Sequence, residues 1–286
     1  MNRRNLIKLL AITLLCVSSV HAQTASGQAP FTILVTNDDG YNAPGIRAIA
    51  EALKPLGEVI VAAPAQNQSG KGHSIVTSEP ILVFERRQAN GLIWYAIEAT
   101  PATTTRLALD KLVPRKPDLV VSGINRGENL GIVVYYSGTL GAAREAAMTG
   151  IPAIAVSMGG DAEADYAATA AAVREMIEQL RAKEMIKPGL FLNVNAPAGR
   201  TKGVLVTRLS TKVNEQIYDQ RRNPRGVLYF WPGYRPVDKE EEGTDVWAFL
   251  NGFIAVTPMT LDTTDAKALE SFKFVEKKAA AAAATK

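Results

Sequence analysis

The chain is organised around ILVTNDDGYNAPGI, residues 33–46. Its first residues form a short apolar, β-branched run that predicts a buried strand, and the run stops at Asp38 and Asp39 on a glycine turn before a helix start. Two adjacent carboxylates in a partly buried cleft repel each other and lose hydration, which raises their pKa values unless a divalent cation balances the charge. An exposed Asp-Gly turn is the alternative, because Asp-Gly is also a strong turn dipeptide.

Strand and helix patterns alternate from residue 31 to residue 194. After the first strand, Ile46, Ile49, Ala50 and Leu53 share one helical face, with Asn42 as the expected N-cap and a proline in the first turn. Repeated β-α-β units with nearly continuous apolar strands predict an α/β fold, in which helices cover both faces of a parallel sheet. Strands are predicted at 59–63, 118–122, 153–157 and 190–194, helices at 100–112, 139–148 and 163–183, and strands or a hairpin within 75–98.

The pattern changes at residue 203, where strand-like runs at 204–209, 227–231 and 246–256 predict a β-rich extension over residues 203–262. This extension is too thin to form its own core, yet it carries Tyr229, Phe230, Trp231 and Trp247. We therefore expect it to pack on, or exchange with, a partner subunit in a homodimer or homotetramer. Residues 275–286 form a low-complexity tail rich in alanine.

Residues 1–22 have the pattern of a secretory signal peptide, with basic residues followed by an apolar run and a small-residue end. We expect cleavage after Ala22, a periplasmic or secreted product and no membrane anchor, since the apolar run is shorter than a spanning helix. Loss of this segment lowers the net charge from +4 to +1, which argues against a nucleic-acid duplex as partner. It also removes Cys16, the sole cysteine, and leaves His73 as the sole histidine.

Three groups of oxygen donors follow predicted strands. Asp38 and Asp39 follow the first strand, Ser69 the second, and Asn125 the strand at 118–122. Ligands of open α/β sheets bind beyond the carboxyl ends of the strands, so these side chains are expected to converge. Oxygen ligands favour magnesium, manganese or calcium over zinc. Taken separately, Ser69 and Asn125 are also compatible with ordinary turn or cap residues.

A small-residue turn, YSGTLG at 136–141, opens a predicted helix. The free N–H groups and the positive end of the helix dipole suit a phosphate, while a simple N-cap by Ser137 or Thr139 is the alternative. His73 lies in the polar loop at 66–73, called below the Ser69 loop. A lone loop histidine is more often a surface residue than an acid–base group, so both roles stay open.

These motifs resemble, in order, those of the SurE survival-protein family over residues 31–262. The matching segments are NDDG at 37–40 with APG at 43–45, Pro64 with NQSG at 67–70, SGIN at 122–125 with NLG at 129–131, and YSGT at 136–139 with GAA at 141–143. TPA at 100–102, GTD at 243–245 and VTP at 256–258 resemble its later landmarks. Where the family usually has acidic residues after NLG, this chain has Ile132 and Val133.

The resemblance implies a divalent-metal-dependent phosphomonoesterase acting on nucleoside 5′- and 3′-monophosphates. It implies a Rossmann-like catalytic domain over residues 31–202, with a three-layer parallel sheet, followed by a β-rich oligomerisation extension. It further implies one Mg²⁺ or Mn²⁺ ion per subunit, bound by Asp38, Asp39, Ser69 and Asn125. Phosphate and substrate contacts would come from Asn42, Asn129, Ser137, Gly138 and Thr139.

The chemistry expected of this site is direct attack of a metal-activated water, with Asp38 and Asp39 as the catalytic residues. The carboxylates are adjacent and lack the Asp-x-Asp spacing of aspartyl-phosphate hydrolases. Ser69 and Thr139 are the remaining candidate nucleophiles, although neither has a neighbouring base in the sequence. A receiver domain would need an aspartate at Asn125, and a dehydrogenase would need a Gly-x-Gly-x-x-Gly turn after its first strand. An exported, non-catalytic nucleotide- or metal-binding protein is the main alternative to an enzyme.

Overall fold

The computed structural model describes residues 30–88, 92–160, 166–213, 215–235 and 239–276. The predicted signal peptide, its cleavage site after Ala22 and residues 277–286 of the predicted tail lie outside this part. Of the two described residues of the predicted tail, residue 275 ends the short 3₁₀ helix Glu270–Val275 and residue 276 follows it. Among the helices that are described, none combines the length and apolar character that crossing a membrane requires.

The centre of the fold is a sheet of nine strands among the described residues. Its order is β3-β4-β2-β1-β5-β6-β7-β11-β8, and most neighbours are parallel, while β3 on β4 and β11 on β7 are antiparallel. The strands are β1 Thr32–Thr36, β2 Glu58–Pro64, β3 Val83–Arg87, β4 Ile93–Ile97, β5 Leu119–Arg126, β6 Ala153–Met158, β7 Phe191–Ala196, β8 Val204–Val206, β9 Glu215–Arg222, β10 Leu228–Arg235 and β11 Ile254–Pro258.

Helices cover both faces of this sheet. The α-helices are α1 Pro44–Leu53, α2 Pro101–Leu107, α3 Gly138–Met148, α4 Tyr166–Ala182 and α5 Asp245–Leu250. One apolar cluster joins α1 and α4 to the sheet through side chains such as Ile49 and Ile177. A second cluster lies on the other face and includes Leu140 and Ala143 of α3. Two cores on opposite faces make three layers, which confirms the predicted Rossmann-like α/β fold.

The start of α1 differs in one respect from the prediction. Pro44 opens the helix as expected, and the predicted face of Ile46, Ile49, Ala50 and Leu53 is buried. The N-cap, however, is Ala43 rather than Asn42, and no side chain caps the helix. Pro44 sets the first helical φ angle, so the cap is the residue directly before it. Asn42 is exposed, and its Oδ1 accepts a 2.5 Å hydrogen bond from Arg47.

The C-terminal region departs further from the predicted strands. Residues 246–256 were expected to be strand-like, but they form α5, a turn and β11. Thr244 caps α5, since its hydroxyl accepts a 3.2 Å hydrogen bond from the Trp247 N–H. Gly252, with φ of 86°, follows the helix and allows the turn into β11. The capping pattern therefore outweighs the strand preference of Val246, Trp247 and Phe249.

Only part of residues 203–262 stands apart from the main sheet. Strands β8 and β11 pair within the main sheet, so this sheet continues beyond residue 203, where the extension was predicted to begin. Strands β9 and β10 form a separate antiparallel pair with Leu228 opposite Arg222. The sequence predicted a strand near β10 and missed β9, EQIYDQRR, because most of that strand is polar.

Candidate active site

Three strand ends converge at one edge of the sheet. Strand β1 lies between β2 and β5, so the residues that follow these strands are neighbours. The Gln68 N–H donates a 2.7 Å hydrogen bond to the Asp38 carbonyl, which ties the Ser69 loop to the end of β1. Gly40 packs on the same loop, since a Cβ added there would lie 3.2 Å from the Gln66 carbonyl carbon. The predicted meeting of the Asp38 and Ser69 segments is therefore present.

Asp38 is a buried carboxylate held by helix α3. The Thr139 hydroxyl donates a 2.6 Å hydrogen bond to Oδ1 of Asp38. Gly138 packs so closely that an added Cβ would lie 2.8 Å from the Asp38 Cβ. Burial raises the pKa of Asp38 to about 6, against the Thr139 hydrogen bond and with the help of the Asp39 charge. The carboxyl is thus poised to gain from a nearby cation.

Asp39 is less buried and faces β5. Its Oδ2 accepts a 3.0 Å hydrogen bond from the Arg126 N–H. Burial raises the pKa of Asp39, while the hydrogen bond and the charge of Arg126 oppose that rise. The Asp39 charge also acts on Tyr166, at the start of α4, because burial and that charge raise the pKa of Tyr166. Neither Arg126 nor Tyr166 was predicted as a site residue, because nothing in the local sequence pattern marks either one.

Asn125 lies inside β5 rather than after it. The strand was expected to end at Ser122, but it continues to Arg126 through a register shift between Ser122 and Asn125. The Asn125 side-chain N–H donates a 2.7 Å hydrogen bond to the Gly127 carbonyl. That bond commits the amide nitrogen, so the amide oxygen is the atom left to bind a cation.

Ser69 lies on the exposed side of the same edge. Its N–H donates a 2.7 Å hydrogen bond to Oδ1 of Asn67, which folds the loop into a tight turn. Further along, the Gly72 N–H donates a 3.0 Å hydrogen bond to the Tyr136 carbonyl, directly before α3. The Ser69 loop is therefore attached at one end to Asp38 and at the other to the start of α3.

The predicted phosphate turn is the N-terminus of α3. Ser137 is the N-cap, and its hydroxyl accepts a 3.1 Å hydrogen bond from the Leu140 N–H. The cap interpretation thus holds for the Ser137 hydroxyl, while the Thr139 hydroxyl is used by Asp38. The N–H groups of Gly138 and Thr139 lie in the first turn, where a helix offers them no acceptor. The Thr139 N–H faces the Asp38 carboxylate and helps to lower its pKa, so the Gly138 N–H is the group of this pair that suits a phosphate. A phosphate contact by Thr139 stays a prediction.

Asn129 is held in a buried polar network. Its N–H donates a 2.7 Å hydrogen bond to Oδ1 of Asn195, and its side chain donates a 2.8 Å bond to Ser157. Its carbonyl accepts hydrogen bonds from the side chains of Asn193 and Asn195. These contacts fix the segment between Asn125 and α3, whereas the role of Asn129 in substrate binding, like that of Asn42, stays a prediction.

Ile132 and Val133, which replace acidic residues of the family pattern, lie in a 3₁₀ helix over Gly131–Tyr135. Val133 is exposed, so an apolar side chain faces solvent at this position. Asp245 fixes the start of that helix, because its carboxylate accepts a 2.7 Å hydrogen bond from the Gly131 N–H and a 2.8 Å bond from the Ser210 N–H. The GTD segment at 243–245 therefore supports the site from outside it.

The candidate ligands fit a hard divalent cation. Two carboxylates, a hydroxyl and an amide oxygen form a set of oxygen donors, and the buried Asp38 has a raised pKa that a cation would lower. Over the described ranges, no three His, Cys, Asp or Glu residues cluster as a metal site. Ser69 and Asn125 would thus have to complete the set that Asp38 and Asp39 begin.

Comparison with known proteins gives concordant results. Residues 33–216 match the family described as Survival protein SurE. The 5′-nucleotidase SurE 1 of Thermus thermophilus is 45% identical over 235 residues, covering 81% of this chain and 92% of that protein. The 5′-nucleotidase SurE of Pelotomaculum thermopropionicum is 38% identical over 244 residues, covering 84% and 93%.

A solved structure agrees with these sequence matches. The crystal structure of the SurE protein from Aquifex aeolicus has a TM-score of 0.76 and 39% identity, and the match covers 86% of this chain and all of that one. The order of the motifs, the fold and the identity over most of both chains point to one family. The chain belongs to the SurE survival-protein family.

Proposed function

We propose that this protein is a divalent-metal-dependent phosphomonoesterase that hydrolyses nucleoside 5′-monophosphates, and also 3′-monophosphates, to nucleoside and phosphate. One observation carries the proposal, namely the hydrogen bond from Thr139 to the buried Asp38. It sets a carboxylate that suits a cation beside a helix N-terminus that suits a phosphate. The relatives named 5′-nucleotidase support a nucleotide substrate, and they disfavour a non-catalytic binding protein.

The cofactor in this proposal is one Mg²⁺ or Mn²⁺ ion, bound by Asp38, Asp39, Ser69 and Asn125. When bound, it supplies positive charge for the phosphoryl oxygens and acidifies water. The protein's own groups do the rest of the work. The Gly138 N–H, in the first turn of α3, holds a phosphoryl oxygen as its charge grows, an electrostatic role that is preorganised by the helix, while Thr139 holds the Asp38 carboxylate.

Asp38 is the residue that orients the attacking water or accepts its proton. A bound cation would lower the pKa of Asp38 from its raised, metal-free value, so the carboxyl is ionised in the loaded enzyme and can accept a hydrogen bond or a proton from water. The Thr139 hydrogen bond fixes which carboxylate oxygen remains for this task, because Oδ1 is already taken. Asp39 accepts its own hydrogen bond, from the Arg126 N–H, and supplies the second negative charge that balances the cation.

The test is phosphate release by purified protein from 5′- and 3′-mononucleotides, with Mg²⁺ or Mn²⁺ and after chelation. Turnover with either cation, lost on chelation, supports the proposal. Tight nucleotide binding without phosphate release would instead support the non-catalytic alternative. The matched control is Asp38→Asn, which keeps an acceptor for the Thr139 hydroxyl while removing the negative charge.

Export and assembly belong to the same proposal. The pattern of residues 1–22 supports export to the periplasm or the medium with cleavage after Ala22. The hairpin of β9 and β10 supports a homodimer or homotetramer, because it exposes Tyr218 and Trp231 by 63% and 64%. Exposed aromatic side chains on an isolated hairpin favour burial against another subunit.

A further inference from the structure

Glu145, in the middle of α3, is a carboxylate with 1% of its surface exposed. Its Oε1 accepts a 2.5 Å hydrogen bond from Arg106, and its Oε2 lies 2.7 Å from Nε2 of His73. Burial alone would raise the pKa of Glu145, but the hydrogen bonds and charges of His73 and Arg106 lower it below its usual range. The carboxylate is therefore ionised and needs both partners.

The two partners come from different parts of the chain. Arg106 belongs to α2, and 57% of its side chain is exposed. His73 ends the Ser69 loop and is 22% exposed. Glu145 thus connects the loop that carries a candidate metal ligand to two helices. The His73 contact joins the loop to Glu145, whereas the Arg106 contact does not involve the loop.

The geometry directs the His73 ring away from the phosphate turn. A Cβ added at Gly141 would lie 2.2 Å from the Gly72 carbonyl oxygen and 3.3 Å from the His73 Cα, so the loop backbone touches the helix there. Glu145 is one turn further along α3, and about 10 Å of helix separates it from Gly138. The ring reaches toward Glu145, which is a poor place for an acid–base group acting at the phosphorus.

The Ser69 loop also needs such an anchor. Gly70 and Gly72 have φ angles of 75° and 57°, a backbone region that glycine enters without strain. Two backbone hydrogen bonds, from Gln68 and Gly72, hold the loop. The His73–Glu145 pair adds the side-chain contact that fixes its far end.

We propose that His73 is a positioning residue that holds Ser69 at the metal site by anchoring the Ser69 loop to the buried Glu145. The proposal rests on the proposed function for the metal, while the anchor itself does not require a metal. Outer partners of this kind typically change metal affinity by about 10–100-fold. His73 thereby contributes to metal binding rather than to the chemical step.

The test compares His73→Ala, His73→Gln and Arg106→Ala. Calorimetric titration with Mn²⁺ should show roughly 10-fold or greater weakening in His73→Ala, and kcat at saturating Mn²⁺ should stay within about threefold of the parent. His73→Gln should recover most of the affinity, because its amide N–H can still donate to Glu145. Arg106→Ala should lower the thermal midpoint and leave the Mn²⁺ affinity within about twofold.

Unchanged Mn²⁺ affinity in His73→Ala would overturn the proposal. So would a loss of kcat at saturating Mn²⁺ together with a lost limb of the pH–rate profile, since that result identifies an acid–base group. Hydrogen exchange of residues 66–73 in metal-free protein separates this proposal from the proposed function. Exchange should be faster in His73→Ala and unchanged in Arg106→Ala, even if the parent binds no Mn²⁺, and equal acceleration in both would contradict the anchor.

Discussion

The Thr139 hydroxyl donates a 2.6 Å hydrogen bond to Oδ1 of Asp38, although 101 positions separate the two residues in the chain. The bond joins the end of β1 to the first turn of α3. The N-terminus of α3 attracts anions, and the Asp38 carboxylate suits a cation. The bond therefore places a phosphate site and a metal site next to each other. Replacement of Thr139 therefore tests whether this hydrogen bond positions Asp38.

Thr139→Val removes this hydroxyl and keeps the shape and the backbone N–H. We expect kcat/KM for a 5′-mononucleotide to fall by roughly 10–100-fold, because Asp38 loses its fixed orientation. Thr139→Ser is the matched control and should retain most of the activity. Phosphate release at saturating Mn²⁺ measures both. Full activity in Thr139→Val would show that the hydrogen bond does not position Asp38.

Removal of the metal should abolish turnover. Exhaustive chelation followed by dialysis is expected to leave less than about 1% of the activity, and Mn²⁺ or Mg²⁺ should restore it. Asp39→Asn should resist restoration, because one of the two carboxylates that hold the cation is neutralised. Circular dichroism checks that this variant is folded. Undiminished turnover in the chelated protein would contradict a metal-dependent mechanism.

Asp38→Asn should stabilise the metal-free protein at neutral pH. Burial raises the pKa of Asp38 from 3.8 to about 6, so the folded state holds this proton more tightly than the unfolded state does. The stability that the proton confers is full below about pH 4 and is lost as the pH rises through about 6. Above that range, the variant should gain about 1–3 kcal/mol in the free energy of unfolding.

Thermal denaturation with chelator at pH 4 and pH 7.5 measures this difference. The variant and the parent should agree more closely at the lower pH, and the variant should lead at the higher one. At pH 7.5 added Mn²⁺ should stabilise the parent alone, since the ion offsets the charge of the ionised Asp38 carboxylate. A variant that is less stable than the metal-free parent at pH 7.5 would show that the ionised carboxylate supports the fold.

Much of the fold was predictable from local patterns. The apolar β-branched runs gave the central strands, and the buried face of α1 followed from the spacing of Ile46, Ile49 and Leu53. A strand was predicted where α5 lies, because the aromatic and β-branched residues of this segment favour strands. One capping residue, Thr244, starts a helix there instead. Strand β9 was missed because that strand exposes both faces, so its polar residues carry no alternation.

The site residues that follow strands could be predicted from the sequence, whereas the contacts between site residues could not. Asp38, Asp39 and Ser69 were expected at one edge because parallel strands end together. The bonds of Thr139 to Asp38 and of His73 to Glu145 depend on how α3 packs on the sheet. No spacing in the sequence encodes that packing, so these pairs required the structure.

The hairpin of β9 and β10 should hold subunits together. Replacement of Tyr229, Phe230 and Trp231 by serine removes apolar area that is 38%, 50% and 64% exposed in one subunit. We expect the mass measured by light scattering after size exclusion, at micromolar concentration, to drop from an oligomer to a monomer. Replacing Phe272 and Phe274, exposed aromatic residues outside the hairpin, is the control. A monomeric parent would contradict the proposed assembly.

The chemical step should invert the configuration at phosphorus. The structure gives Thr139 the neighbouring base that the sequence did not show, since Asp38 lies 2.6 Å from its hydroxyl. A nucleophile paired with a base is the arrangement of covalent catalysis. Thr139 is, however, fully buried, and Ser137 uses its hydroxyl as the cap of α3, so neither is free to reach a phosphorus in solvent. Ser69 is exposed but is a candidate metal ligand.

Direct attack by water on a chiral, isotopically labelled phosphate ester gives inversion, whereas a phosphothreonyl or phosphoseryl enzyme gives two displacements and net retention. Retention, or a trapped phosphoenzyme at Thr139 or Ser69, would replace direct water attack with a covalent route in which Asp38 acts as the base.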